Sequence, residues 1–143
     1  MADSQAQKSM VKEIQSKSIA KIRDFVVNAC NAQVMQEVCG FIGWDSPEYV
    51  ATVERNDAAD PKNFFAINPA SYLMFANNND MLAIFHSHII GDENPSEFDI
   101  KMAEACCVPF VIYSLNTKKF HIYEPSECEL DVKAFARLKE AFK

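Results

Sequence analysis

The sequence predicts an α/β fold: a mixed, mostly antiparallel β-sheet flanked by α-helices. Three observations carry that reading. Segments with helical period alternate with short apolar, strand-like runs along the chain. Several of those runs follow one another through turns too short to hold a crossover helix, which makes most of the pairing antiparallel. One run, MLAIFHSH (81–88), is apolar on both faces, as a central strand covered from both sides requires. With 143 residues the chain suits a single domain, 1–143, with a core of its own. Its polar first eight residues are expected to fray.

Each element has its own signal. From Met10 to about Ala29, the positions Val11, Ile14, Ile19, Ile22, Phe25, Val26 and Ala29 predict an amphipathic helix with a break near Ser16–Ser18. VCGFIGW (38–44) is a continuous apolar run, and YVATVE (49–54) reads as its hairpin partner through Asp45-Ser46-Pro47. NDAADPKN is loop, and FFAI (64–67) reads as a short strand. Asn68 as N-cap with Pro69 in the first turn opens a helix through SYLMFA. A turn at 77–80 leads into strand 81–88, and SEFDIKMAEACC (96–107) reads as a helix. PFVIYSL (109–115) and KKFHIYE (118–124) form a hairpin around Asn116-Thr117. The tail is an amphipathic helix with Leu130, Phe135, Leu138 and Phe142 inward.

Composition excludes several function classes. A net charge of −6 gives no basic face for nucleic acid or anionic membrane. Lys8, Lys12, Lys17 and Lys21 recur helically, but Glu13 and Asp24 interrupt them, so they read as a solvated face. No apolar run approaches the roughly 18 residues of a membrane span, and the N-terminus has no signal-peptide core, so a cytoplasmic location is expected. Five cysteines at 30, 39, 106, 107 and 128 include no C-x-x-C pair, and they read as small buried hydrophobes without a disulfide framework. Trp44, Phe64, Phe65, Tyr72 and Phe75 read as core, and His121 as a surface histidine on the polar face of its strand.

The chemistry concentrates in HSHIIGDENPSEFD (86–99). Side chains alternate along a strand, so His86 and His88 face the same way, about 7 Å apart at Cα. That suits two ligands on one Zn²⁺. Ser87 points the other way, in a structural role. Gly91 permits the loop an unusual backbone angle. Asp99, in the first turn of the helix that opens at Ser96, can reach past the helix end toward the histidines as a third, anionic ligand. Asp92, Glu93 and Glu97 are alternative acids. S-x-x-D is equally the sign of an ordinary capping box. Three protein ligands leave a fourth position for water, the pattern of a catalytic zinc site.

H-S-H, seven residues, then S-x-x-D resembles the signature of the JAMM (MPN+, JAB-type) zinc metallopeptidases. The family adds a glutamate before an apolar, Gly-containing strand, and Glu37-Val38-Cys39-Gly40-Phe41-Ile42-Gly43 matches that pattern. The segment NDAADPKNFFAINPASYLMF is similar to that of prokaryotic and phage members, including the JAMM domain of phage tail-assembly peptidases. The likeness runs from about residue 17 to residue 125. It implies the family's sheet-and-helix architecture, related to that of the cytidine deaminases. It also implies zinc ligation by His86, His88 and Asp99, Glu37 as general base, and Ser96 as a group that steadies the oxyanion or the water. The implied activity is hydrolysis of a peptide or isopeptide bond. The implied substrate is an extended peptide or the C-terminal tail of a ubiquitin-like protein, laid along a sheet edge beside the metal.

Ile89 stands where the family usually has Pro, which alters the loop without removing a ligand. The phage tail proteins usually carry a cysteine-peptidase domain after this one. Here the sequence ends at Lys143, so the chain is expected to be a stand-alone protein or one domain of a longer one. The ubiquitin-clamping insertions of eukaryotic members have no counterpart. The competing reading is a non-catalytic MPN-type module in particle assembly, such as a phage tail. A zinc deaminase needs H-x-E and P-C-x-x-C, which Cys106-Cys107-Val108-Pro109 does not provide. Cys39 lies two residues beyond Glu37 and is expected to be a packing residue. A free sheet edge and the N-terminal helix leave room for a homodimer.

Overall fold

The computed structural model describes residues 12–143. In chain order the elements are β1 (Glu13–Ser16), α1 (Ile19–Asn31), β2 (Cys39–Asp45), β3 (Glu48–Glu54), α2 (Pro69–Asn78), β4 (Asp80–His88), α3 (Glu97–Cys106), β5 (Phe110–Ser114), β6 (Phe120–Tyr123) and α4 (Val132–Ala141). The strands form one six-stranded sheet in the order β1-β3-β2-β4-β5-β6. Every pairing is antiparallel except β4–β5, which α3 joins as a crossover. The mixed, mostly antiparallel sheet flanked by helices is therefore the fold.

Alternation along the strands divides the core in two. On one face Ile42, Ala51, Phe85 and Val111 pack under Ile22, Phe25 and Val26 of α1 and Phe135 and Leu138 of α4. On the other, Phe41, Val50, Ile84 and Ile112 pack with Phe75 of α2 and Ala103 of α3. Gly40 is needed where β2 passes closest to its neighbours, because a Cβ there would run into the Thr52 carbonyl and the Phe85 ring.

Four expectations need correction. The first part of the expected 10–29 helix is strand β1, and Met10 and Val11 lie outside the described residues. Residues 13–16 alternate exposed and half-buried and pair with 49–52 of β3, so period 2 prevails until Ser18 opens α1. FFAI (64–67) is not a strand, because the Asn56 side chain takes the backbone groups a neighbouring strand would use: its amide donates to Phe64 O and its carbonyl accepts from Ala66 N–H. Cys107 and Cys128 are joined in a disulfide. Cys107 ends α3 in the left-handed region, which turns its side chain outward, and Glu104 accepts from Ser126 N–H and holds the facing segment there. Among the described residues no sheet edge lies beside the histidines, since β4 is central and the edge strands are β1 and β6.

Of the five aromatics assigned to the core, Phe65 and Phe75 are buried, Trp44 and Tyr72 half-buried, and Phe64 exposed. His121 is half-buried opposite Ile112. No described helix is long and apolar enough to cross a membrane.

Candidate metal centre

His86 and His88 end β4 on the face covered by α2 and α3. Both are buried, as are Glu37 and Asp99. Four ionisable side chains withdrawn from water at one spot would be costly unless they neutralise one another or hold a cation.

The chain past His88 is pinned so that it returns. Gly91 adopts φ +86°, and its carbonyl accepts from the Ser114 hydroxyl (2.9 Å) and the Asn116 amide (3.0 Å). Thr117 donates to the Glu93 carboxylate at 2.6 Å. The turn between β5 and β6 thus holds the loop, and Ser96 opens α3 beside the strand end it left. Ser96 Oγ accepts from Asp99 N–H (3.0 Å) and Ser96 N–H donates to Asp99 Oδ2 (3.0 Å), a complete capping box. The capping reading and the ligand reading are both satisfied. The box fixes the Asp99 carboxylate with its remaining valence aimed at the histidines.

The donor atoms converge. His86 Nε2 lies 3.3 Å from His88 Nε2, His88 Nε2 lies 2.9 Å from Asp99 Oδ2, and His86 Nε2 lies 3.2 Å from Asp99 Oδ1. Ligands about 2.0–2.1 Å from a tetrahedral zinc stand roughly 3.3 Å from one another, so the spacing fits. The proton inventory fits as well. His88 Nδ1 lies 2.8 Å from the Asp92 carbonyl, which only accepts, so Nδ1 carries the hydrogen. In neutral His88 the Nε2 lone pair then points at a carboxylate oxygen and a second ring nitrogen. Such facing acceptors repel until a proton or a metal ion sits among them, and a backbone carbonyl behind a ligating imidazole is the usual support for the latter. His86 Nδ1, by contrast, is buried with no hydrogen-bond partner among the described residues. His86, His88 and Asp99 are thus a buried group able to bind a metal.

Burial alone would raise the Asp99 carboxyl, but contacts with both imidazoles and the Ser96 N–H hold it well below the usual carboxylate range. Burial pulls His86 down, and Asp99 offsets only part of that. Burial pulls His88 down too, but its hydrogen bonds to Asp99 and the Asp92 carbonyl outweigh it, and the imidazole is raised.

Glu37 stands across from this cluster. Cys39 pairs with His86, and the Ser87 N–H to Val38 O bond (2.9 Å) extends that register, bringing Glu37 opposite His88. Its carboxyl is pushed up to about 8, chiefly by burial, with Asp99 and Asp60 adding and His88 opposing. It is not one of the clustered donors. Cys39 is buried, its thiol donates to the Glu54 carbonyl (3.7 Å), and it is likewise outside the cluster. Ser87 faces away from the histidines' side, and its Oγ accepts from Val38 N–H at 2.8 Å.

Sequence reasoning missed two supports. Phe65 stacks on the His86 ring, centroids 4.4 Å apart. Asn56 donates to Glu37 O (3.0 Å) while Glu37 N–H donates to Pro61 O (2.7 Å), so the 56–66 loop fixes the backbone of Glu37. The only available signal was Asn56 heading a loop rich in Asp and Asn, which marks a turn and no more.

The profile describing prokaryotic homologs of the JAB domain matches residues 20–127. Among solved structures, the solution structure of protein DSY2949 from Desulfitobacterium hafniense is similar in fold. The two share 20% identity over 80% of this chain and 94% of that one, with a TM-score of 0.54. No curated protein matches the sequence directly. A profile that spans most of the chain matches a six-stranded fold that brings His86, His88 and Asp99 together beside Glu37: the chain belongs to the prokaryotic homologs of the JAB domain.

Proposed function

We propose that the protein is a zinc-dependent peptidase or isopeptidase of JAMM type, with His86, His88 and Asp99 as metal ligands. The observation that carries this is the convergence of the two imidazole Nε2 atoms, 3.3 Å apart, on the Asp99 carboxylate, whose Oδ2 lies 2.9 Å from His88 and Oδ1 3.2 Å from His86, beside a buried glutamate that is not itself one of the clustered donors. Two nitrogens and one carboxylate with an open fourth position suit catalytic zinc, which when bound supplies a Lewis acid and lowers the pKa of water.

The chain's own residues do the rest. Glu37, opposite His88, is placed to take up a proton and return it to the departing amine; burial raises its carboxyl to about 8, and a cation held by the neighbouring donors would favour its ionised, proton-accepting form. Ser96 spends its oxygen lone pair on the helix cap, which leaves its hydroxyl hydrogen free to donate to a developing oxyanion. Asp99, held ionised, contributes the one fixed negative charge of the set. The substrate is an extended peptide or a ubiquitin-like C-terminal tail. With β4 inside the sheet, it crosses the strand ends and loops rather than adding to a sheet edge.

The test is metal content and hydrolysis in one preparation. One zinc per chain, and cleavage that disappears in Glu37→Gln while zinc stays bound, is the expected result; general bases typically contribute about 10²–10⁴-fold. Protein purified without chelators that holds no zinc refutes the reading and leaves a non-catalytic MPN-type module in particle assembly.

A further inference from the structure

Phe64 and Phe98 meet edge to face, ring centroids 5.3 Å apart, yet are 43% and 39% exposed. Neither belongs to the two buried core clusters. Each ring keeps about two fifths of its surface in water, and two such rings in contact beside a buried polar centre offer a small apolar surface to a bound molecule. Their location is specific. Phe64 precedes Phe65, which stacks on His86, and sits on the loop that Asn56 ties to Glu37. Phe98 precedes Asp99 at the start of α3. The pair therefore joins the two walls of the metal centre, one wall holding Glu37 and the other Asp99.

The charge on the two walls differs. On the loop wall Asp57 is paired with Arg55 and Asp60 is balanced by Lys62, whereas residues 89–101 carry Asp92, Glu93, Glu97 and Asp99 against Lys101 alone. Whatever lies across this rim meets apolar surface in the middle and an excess of negative charge on the side of α3 and the loop before it.

We propose that Phe64 and Phe98 form an apolar clamp that selects a substrate with a large apolar side chain next to the scissile bond, on a segment bearing lysine or arginine. The proposal deepens the peptidase reading and rests on it. A glycine at that position has no side chain to bury and leaves both rings wet. The clamp therefore favours bulky residues over the glycine-ended tails of ubiquitin-like proteins. Occupancy by a second copy of this chain is the competing outcome.

The experiment uses the full zinc-loaded chain and peptides of one Lys/Arg-flanked frame whose central residue is Phe, Leu or Gly. Binding is read by fluorescence anisotropy and cleavage by mass spectrometry. The wild type should favour Phe and Leu over Gly by about tenfold or more in both readouts, the scale expected for an apolar pocket. Phe98→Ala and Phe64→Ala should reduce that ratio to about twofold while zinc content and the response to the Gly peptide persist. Val132→Ala, an exposed apolar site on α4 at the opposite face, should leave it unchanged. Equal binding of all three peptides by the wild type overturns the clamp, as does an unchanged ratio in Phe98→Ala that keeps its zinc. A concentration-dependent dimer that Phe98→Ala abolishes, without any peptide selectivity, assigns the rings to self-association and also overturns it. Selective binding without cleavage of any peptide upholds the clamp and fails the peptidase reading instead.

Discussion

At the scale of single residues, Glu37 is the side chain whose protonation state decides most. Its folded pKa is raised from 4.5 to about 8, chiefly by burial. A raised carboxyl favours the folded state while it stays neutral. That contribution is complete below about 4.5 and is lost as pH rises through about 8. Chelated wild-type protein should therefore lose stability between those limits, and Glu37→Gln, which cannot ionise, should lose less. Urea midpoints at steps from pH 5 to pH 9 check this, and parallel curves for the two proteins would contradict it. His86, His88 and Asp99 behave as one unit, because each is buried against the others. The pair of histidines was legible in the sequence, since alternation along a strand is local. Asp99 was legible only as one of several acids until the family resemblance singled it out, because the choice among Asp92, Glu93, Glu97 and Asp99 depends on where the loop returns.

At the scale of elements, the 56–66 loop does what no strand or helix does here. The Asn56 side chain binds Glu37 O at 3.0 Å, Phe64 O at 2.9 Å and Ala66 N–H at 3.1 Å, joining the Glu37 backbone, the aromatic rim and the loop's own return. Asn56→Ala should cost about 1–3 kcal/mol in unfolding free energy, the usual penalty for leaving such groups unpaired. It should lower kcat/KM through displaced Glu37 while zinc affinity holds, because none of His86, His88 and Asp99 lies on that loop. Denaturant titration, kinetics and metal titration on one preparation separate these effects; a matching loss of zinc would show the loop serves the metal instead. This element was misread as partly strand, and β1 as helix, for related reasons. An asparagine side chain can replace a missing strand, and a four-residue strand with one half-buried isoleucine carries too little periodic signal to outweigh the helix that follows. The Cys107–Cys128 disulfide was likewise invisible, because it depends on the end of α3 meeting a segment 21 residues further on.

At the scale of the molecule, the sheet holds both walls of the centre. β2 presents Glu37 across from β4, and the β4–α3–β5 crossover returns Asp99 to the strand end. A metal bound only by this assembled geometry stabilises the whole fold by mass action, about 4 kcal/mol at a free concentration 1,000 times Kd. Zinc should raise Tm in a concentration-dependent way and chelation should reverse it. Asp99→Asn should abolish most of that shift, which scanning calorimetry with and without zinc measures. A zinc shift that survives in Asp99→Asn would place the ion elsewhere.

The sequence alone determined what short-range rules govern: the strand alternation that puts both histidines on one side, the cap at Ser96, the apolar central strand, the amphipathic tail and the mixed α/β class. Each depends on a period of two or 3.6 residues, or on a side chain reaching its own backbone. Only the tertiary structure decided which acid turns inward, that one carboxylate serves as both cap and cluster member, and that Phe64 lies at the rim while Phe65 backs His86. Those outcomes depend on strand order and loop return, which bring together side chains far apart in the chain, and no local pattern encodes such distances.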